Sequence, residues 1–254
     1  MQRCNSLLLF VLLTIVSATI AVDYCSTALC SAQNHIGCGN TGDFGPKCLA
    51  ERSVVPMTAD IIALILQRHN TARVNVANGK VSPFLTANKM IEMSWDSELA
   101  SIAAMNAKTC VFAHDKCRNT AIFKYAGQNI AMTSSSPNYK DTVAAINQLF
   151  DLWYNEYVDC NMDQITKLTT ITAANGNSFG HFTQIVMANS SKIGCAIVNY
   201  LANSWKNTYL VCNYAQTNMI SWPVYTSGTP CSGCKSGCST TYPGLCNANE
   251  VVSW

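Results

Sequence analysis

Gly180-His181-Phe182-Thr183-Gln184-Ile185-Val186 is the stretch from which the rest of the chain can be read. A histidine stands beside an aromatic residue, a Thr/Gln pair follows, and the run closes on apolar residues that read as a helix face. Asn175-Gly176-Asn177-Ser178, just ahead of it, is rich in turn formers, so His181 falls where a loop becomes a helix. Further on, Tyr209-Leu210-Val211-Cys212-Asn213-Tyr214-Ala215 reads as a buried strand.

The 254 residues allow one sizeable domain with appendages. Charged residues make up 12% and the formal net charge is +2. With no basic block or acidic tail, nucleic acid is not an expected partner. Arg3 precedes the apolar run Leu7–Val16, and Ser17, Ala18 and Ala21 follow, which predicts a secretory signal peptide over residues 1–21. No second apolar run of roughly 18 residues follows, so the mature chain is expected to be secreted and soluble, with no membrane span. Of the 14 cysteines, Cys4 leaves with the signal peptide. An odd number remains, which predicts a disulfide framework with one thiol left over. Asn189-Ser190-Ser191 is the one Asn-x-Ser/Thr sequon after the signal peptide and makes Asn189 a glycosylation candidate.

Residues 22–57 carry Cys25, Cys30, Cys38 and Cys48 among Gly, Asn and Pro without periodicity, as in an extension held by its bridges. The main domain, residues 58–224, is predicted to open with Thr58 as a helix N-cap and Asp60 in the first turn. Ile61, Ile62, Ile65 and Leu66 then form an apolar stripe, and His69, farther along, reads as a packing residue. A second helix is predicted from Asp96 with Leu99, Ile102 and Ala103 inward, and a strand over Gln128–Met132. A third helix is carried by Val143, Ile146, Phe150, Trp153 and Tyr157 at helical spacing. Lys192–Leu201 and Thr208–Ala215 read as paired strands joined by a polar loop, which makes the domain α+β. Residues 225–254 form a Gly/Ser/Pro-rich tail with Cys231, Cys234, Cys238 and Cys246. Gly176-Asn177-Ser178-Phe179-Gly180 matches the string of a hydrolase nucleophile elbow. That chemistry needs a preceding strand and an acid then a histidine downstream; only His181 follows, so the match reads as chance.

The two stretches quoted first, in this order, resemble the two signature motifs of the CAP superfamily, which comprises cysteine-rich secretory proteins, antigen 5 and pathogenesis-related proteins. Met187 stands where the family usually has Trp, and Gln216 where Pro is usual. Asp23-Tyr24-Cys25, His35-Ile36-Gly37-Cys38 and Phe44-Gly45-Pro46-Lys47-Cys48 resemble the N-terminal extension of insect antigen 5 proteins, and the tail resembles the hinge of cysteine-rich secretory proteins. The resemblance implies a three-layer α-β-α sandwich. It also implies the bridges Cys25–Cys38, Cys30–Cys117, Cys48–Cys110, Cys195–Cys212, Cys231–Cys238 and Cys234–Cys246. Cys160 is left unpaired, free in a mostly monomeric protein or joining two chains. A central cleft would hold His114, His181 and Glu156, with Gln128 where the family has a second acid. No cofactor is required, although Zn²⁺ could sit on the two imidazoles, and Gln128→Glu is expected to tighten it. The function implied is binding, either of a small apolar ligand between helices (a sterol, fatty acid or eicosanoid) or of an extracellular protein. The alternative is a metal-assisted protease or esterase using His114, Glu156 and His181.

Overall fold

The computed structural model describes residues 22–31 and 34–252, so the signal peptide predicted over residues 1–21 lies outside the described residues. Chain order gives β1 (Ala50–Val54), α1 (Ala59–Ala77), β2 (Ser94–Trp95), α2 (Ser97–Ala107) and β3 (Gly127–Ser135). There follow α3 (Thr142–Tyr154), a 3₁₀ turn (Asn155–Asp159), α4 (Met162–Thr166), α5 (Gly180–Ile185), β4 (Lys192–Ala202) and β5 (Trp205–Tyr214). Thr58 and Asp96 cap α1 and α2, their side-chain oxygens accepting from Ile61 N and Leu99 N. These caps satisfy amides that the first turn leaves without partners.

The strands run β1-β4-β5-β3, antiparallel throughout, with β2 adding a short parallel pairing to β4. The polar loop between β4 and β5 is a two-residue turn in which Asn203 and Ser204 both take positive φ, the geometry that suits the twist of a hairpin. Alternation along β4 and β5 splits the core. Ile193, Cys195, Ile197, Leu210, Cys212 and Tyr214 face α1, α3 and α5. Ala196, Val198, Tyr200, Tyr209 and Val211 face α2. The layers are therefore helix, sheet, helix, the α-β-α sandwich. Gly194 makes the α2 layer fit, because a Cβ there would lie 2.2 Å from Ala100 N.

Several expectations need correction. The extension contains a strand, β1, whose fully exposed side chains give no apolar signal. Val143 lies outside the α3 stripe: it is 46% exposed, while Leu149 and Phe150 are buried. Tyr157 belongs to the 3₁₀ turn. The inward face of α1 continues past Ile65 into His69, Asn70 and Arg73, all buried. Among the described residues Arg73 has no carboxylate partner; its guanidinium donates to Ile91, Ile185, Met187 and Ala188 carbonyls at 2.6–3.1 Å. It thereby ties α1 to the turn that follows α5. His69 packs structurally, Nδ1 donating to Ile65 O at 2.7 Å and Nε2 accepting from the Tyr214 hydroxyl at 2.9 Å.

Among the described residues there are six disulfides: Cys25–Cys38, Cys30–Cys117, Cys48–Cys110, Cys195–Cys212, Cys231–Cys238 and Cys234–Cys246. Cys160 is the free thiol, only 5% exposed. Its burial argues against a Cys160-linked dimer.

Candidate functional site

The histidine cleft is assembled from three elements. Glu156, on the 3₁₀ turn after α3, accepts from His181 N at 2.8 Å and Phe182 N at 3.2 Å. It acts as the N-cap that Phe179 cannot supply to α5. Its other oxygen accepts from His181 Nδ1 at 2.6 Å, so one carboxylate starts the helix and orients the imidazole. Asn129, on β3, holds the same residue by donating to His181 O at 3.1 Å. Gly127 lets the start of β3 pass against α5, since a Cβ there would fall 2.1 Å from Gln184 Oε1.

His114 is fixed by a different chain of contacts. Its Nδ1 donates to Gln128 Oε1 at 2.8 Å, and Gln128 Nε2 donates to Asp115 Oδ2 at 2.7 Å and Asn213 Oδ1 at 2.9 Å. Asp115, whose side chain is 2% exposed, is also paired with Arg118 Nε at 2.8 Å. Gln128 is thus an amide relay between His114 and a buried aspartate. His114 is exposed at the cleft mouth, yet partial desolvation of its ring lowers it below the usual imidazole value, with the hydrogen bond to Gln128 opposing this. Both His114 and His181 line a cavity of about 280 Å³, together with Gln128, Asn129, Ser178 and Asn218. The structure therefore brings together all four cleft residues predicted. Sequence reasoning missed Asp115 and Arg118; Asp115 directly follows His114, which was the available signal.

The donor set decides what cation the cleft could take. Each imidazole has Nδ1 against an oxygen acceptor, so Nε2 is the ring atom that a cation would have to use. All three Glu156 contacts are hydrogen bonds to α5, so the carboxylate acts through His181 and leaves two nitrogens as the ligand set. Among the described residues no group of three or more His, Cys, Asp or Glu is arranged to hold a metal. Two nitrogens fit an ion completed by water and not a closed four-ligand Zn²⁺ site. Ser178 gives no elbow: its hydroxyl lies 3.4 Å from Ile171 O and accepts from Gly180 N at 3.2 Å within a loop.

A larger groove, about 560 Å³, runs between α1 and α3 on the other side of Phe150. Leu64, Ala72, Phe150 and Tyr154 supply apolar wall, and Gln67, Arg68, Thr71, Asn75, Asn147 and Asn155 supply polar wall. The Arg68 guanidinium lies 4.7 Å from the Phe150 ring centre and pairs with Asp151. Its Nε is buried without a partner.

A three-layer sandwich with disulfide-held ends and a two-histidine cleft defines a CAP protein. The family model of the cysteine-rich secretory protein family matches residues 66–214, and the chain belongs to that family. Venom allergen-1 of Aedes albopictus is 40% identical over 250 residues, 98% of this chain and 96% of its own. Venom allergen 3 of Solenopsis invicta is 39% identical over 220 residues, covering 82% of this chain and 90% of its own. Among solved structures, NaASP2, crystallised with Zn²⁺, is 30% identical with a TM-score of 0.62, over 74% of this chain and 96% of that one. Among the described residues no helix is long and apolar enough to cross a membrane.

Proposed function

We propose that the protein acts by binding rather than catalysis, holding an amphipathic carboxylate such as a fatty acid or eicosanoid between α1 and α3. Arg68 carries this reading. It is a cation in the wall of a groove of mixed lining, its guanidinium 4.7 Å from the Phe150 ring centre, with Nε buried and, among the described residues, unpaired. A carboxylate headgroup would share the guanidinium with the half-exposed Asp151, while the chain lies along Leu64, Ala72 and Tyr154. A sterol would fill the walls and leave the cation unused, which ranks it below an acid.

Displacement of a fluorescent fatty acid by oleate and by methyl oleate tests this. Arg68→Gln should weaken oleate about tenfold, the worth of a charge-assisted hydrogen bond, and leave the ester unchanged. The fold should survive, because the exposed Arg68–Asp151 pair contributes at most about 1 kcal/mol. No displacement of the probe from wild type would refute the reading.

A second reading, a weakly held divalent cation on His114 and His181 Nε2, is favoured by the two oriented imidazoles and by the Zn²⁺ in the NaASP2 crystal. Zn²⁺ calorimetry on wild type and His181→Ala distinguishes it: heat in the first and none in the second is expected, and equal affinity would place any ion elsewhere.

A further inference from the structure

We infer that Asn189 carries an N-linked glycan whose first N-acetylglucosamine is seated in a cavity that the fold builds around it. The sequon lies in a turn: Ser190 N donates to Met187 O at 3.1 Å and Ala188 N to Val224 O at 2.9 Å. These bonds are backbone to backbone, so the Asn189 carboxamide takes no part in holding the turn. Asn189 is half-buried and Ser190 and Ser191 are buried, an unusual setting for an acceptor unless the fold leaves room beside it. That room is present, because Asn189 forms part of the wall of a cavity of about 370 Å³ between the tail and the sandwich, a size that takes a small ligand.

The wall has the chemistry of a sugar subsite. Trp222 offers an aromatic face, 51% exposed, next to Pro223; such faces take the C–H side of a pyranose ring. Polar residues stand on the same wall: Asn88, Lys89 and Gln216. A free sugar would have to pay its own binding entropy, whereas one joined to Asn189 is held at high effective concentration. The six disulfides place folding in an oxidising compartment, the compartment in which such glycans are attached. Transfer to the unfolded chain precedes burial of the turn, so half-burial of Asn189 is no obstacle.

Expression in insect cells, with peptide mapping and timed glycosidase digestion, tests the inference. Wild type should carry one glycan at Asn189, absent from Ser191→Ala. Release from native protein should be slower than from denatured protein by about five-fold or more, and Trp222→Ala should remove most of the difference. The Trp222 side chain is half out of the fold, and its backbone bond to Leu168 survives the change. An unmodified Asn189 would overturn the inference. So would equal release from native and denatured protein, or protection that persists in Trp222→Ala.

Discussion

Gln128→Glu is the most informative single change in the cleft, because the structure gives this position a partner, Asp115, that the family pattern does not show. By pattern, an acid at this position completes the site. In the fold, the atom that would become a carboxylate oxygen is Gln128 Nε2, 2.7 Å from Asp115 Oδ2 and 2.9 Å from Asn213 Oδ1. The change replaces two donated hydrogen bonds by two acceptor–acceptor contacts, one of them between like charges. At that separation and an effective dielectric near 20, the repulsion approaches about 6 kcal/mol. A cheaper escape caps the loss, since protonating one carboxyl restores a donor toward Asp115. From an ordinary glutamate value near 4.3, and 1.36 kcal/mol per pH unit, that costs about 3.7 kcal/mol at pH 7. The variant should therefore be roughly 3–4 kcal/mol less stable than wild type at pH 7. A carboxyl with its folded value raised is destabilising only where it must ionise. The deficit should accordingly shrink as pH falls toward about 4.3, leaving about 1 kcal/mol for the hydrogen bond to Asn213 Oδ1 that stays unmade. Urea unfolding of both proteins across this range measures it. Equal stability at pH 7, or a loss that does not change with pH, would refute the relay from His114 through Gln128 to Asp115.

Two further expectations concern the core. Burial lowers His69 from 6.5 to about 4, so its contribution to stability is complete above pH 6.5 and is lost as pH falls toward 4. That loss amounts to roughly 3 kcal/mol, and urea titrations from pH 7 to 4 should show it flattened in His69→Gln; parallel profiles would contradict the assignment. Cys160, buried with its thiol pushed up to about 12, should resist alkylation in native protein and take one label per chain after denaturation without reductant. A dimer on a non-reducing gel that Cys160→Ser abolishes would contradict its burial.

Much of this arrangement was legible before any coordinates. Helices α1 and α2 announce themselves by Thr58 and Asp96, residues that cap by side chain, and β4 and β5 by apolar runs ending at a turn. The cleft was legible only through the resemblance, because His114, Glu156 and His181 are far apart in sequence and nothing local links them. What stayed hidden has physical causes. β1 pairs through its backbone alone while its side chains face solvent, so no hydrophobic period marks it. Val143 kept the spacing of a core residue yet lies in the first turn of α3, ahead of the helix's contact with the sheet. Gln128 read as a lost charge because its partner, Asp115, belongs to a loop whose path the sequence does not give. The α1–α3 groove needs two helix faces at once, and no local pattern marks Arg68, on one of them, as different from other helix charges.

The central claim is that this groove holds an apolar acid, and native mass spectrometry tests it most directly. Thr71 is exposed at the groove's edge, so Thr71→Trp should obstruct the groove without disturbing the core. Wild type incubated with oleate should keep one fatty acid per chain in the gas phase, and Thr71→Trp should keep none. Retention of the same adduct by both proteins, or by neither, would contradict the account.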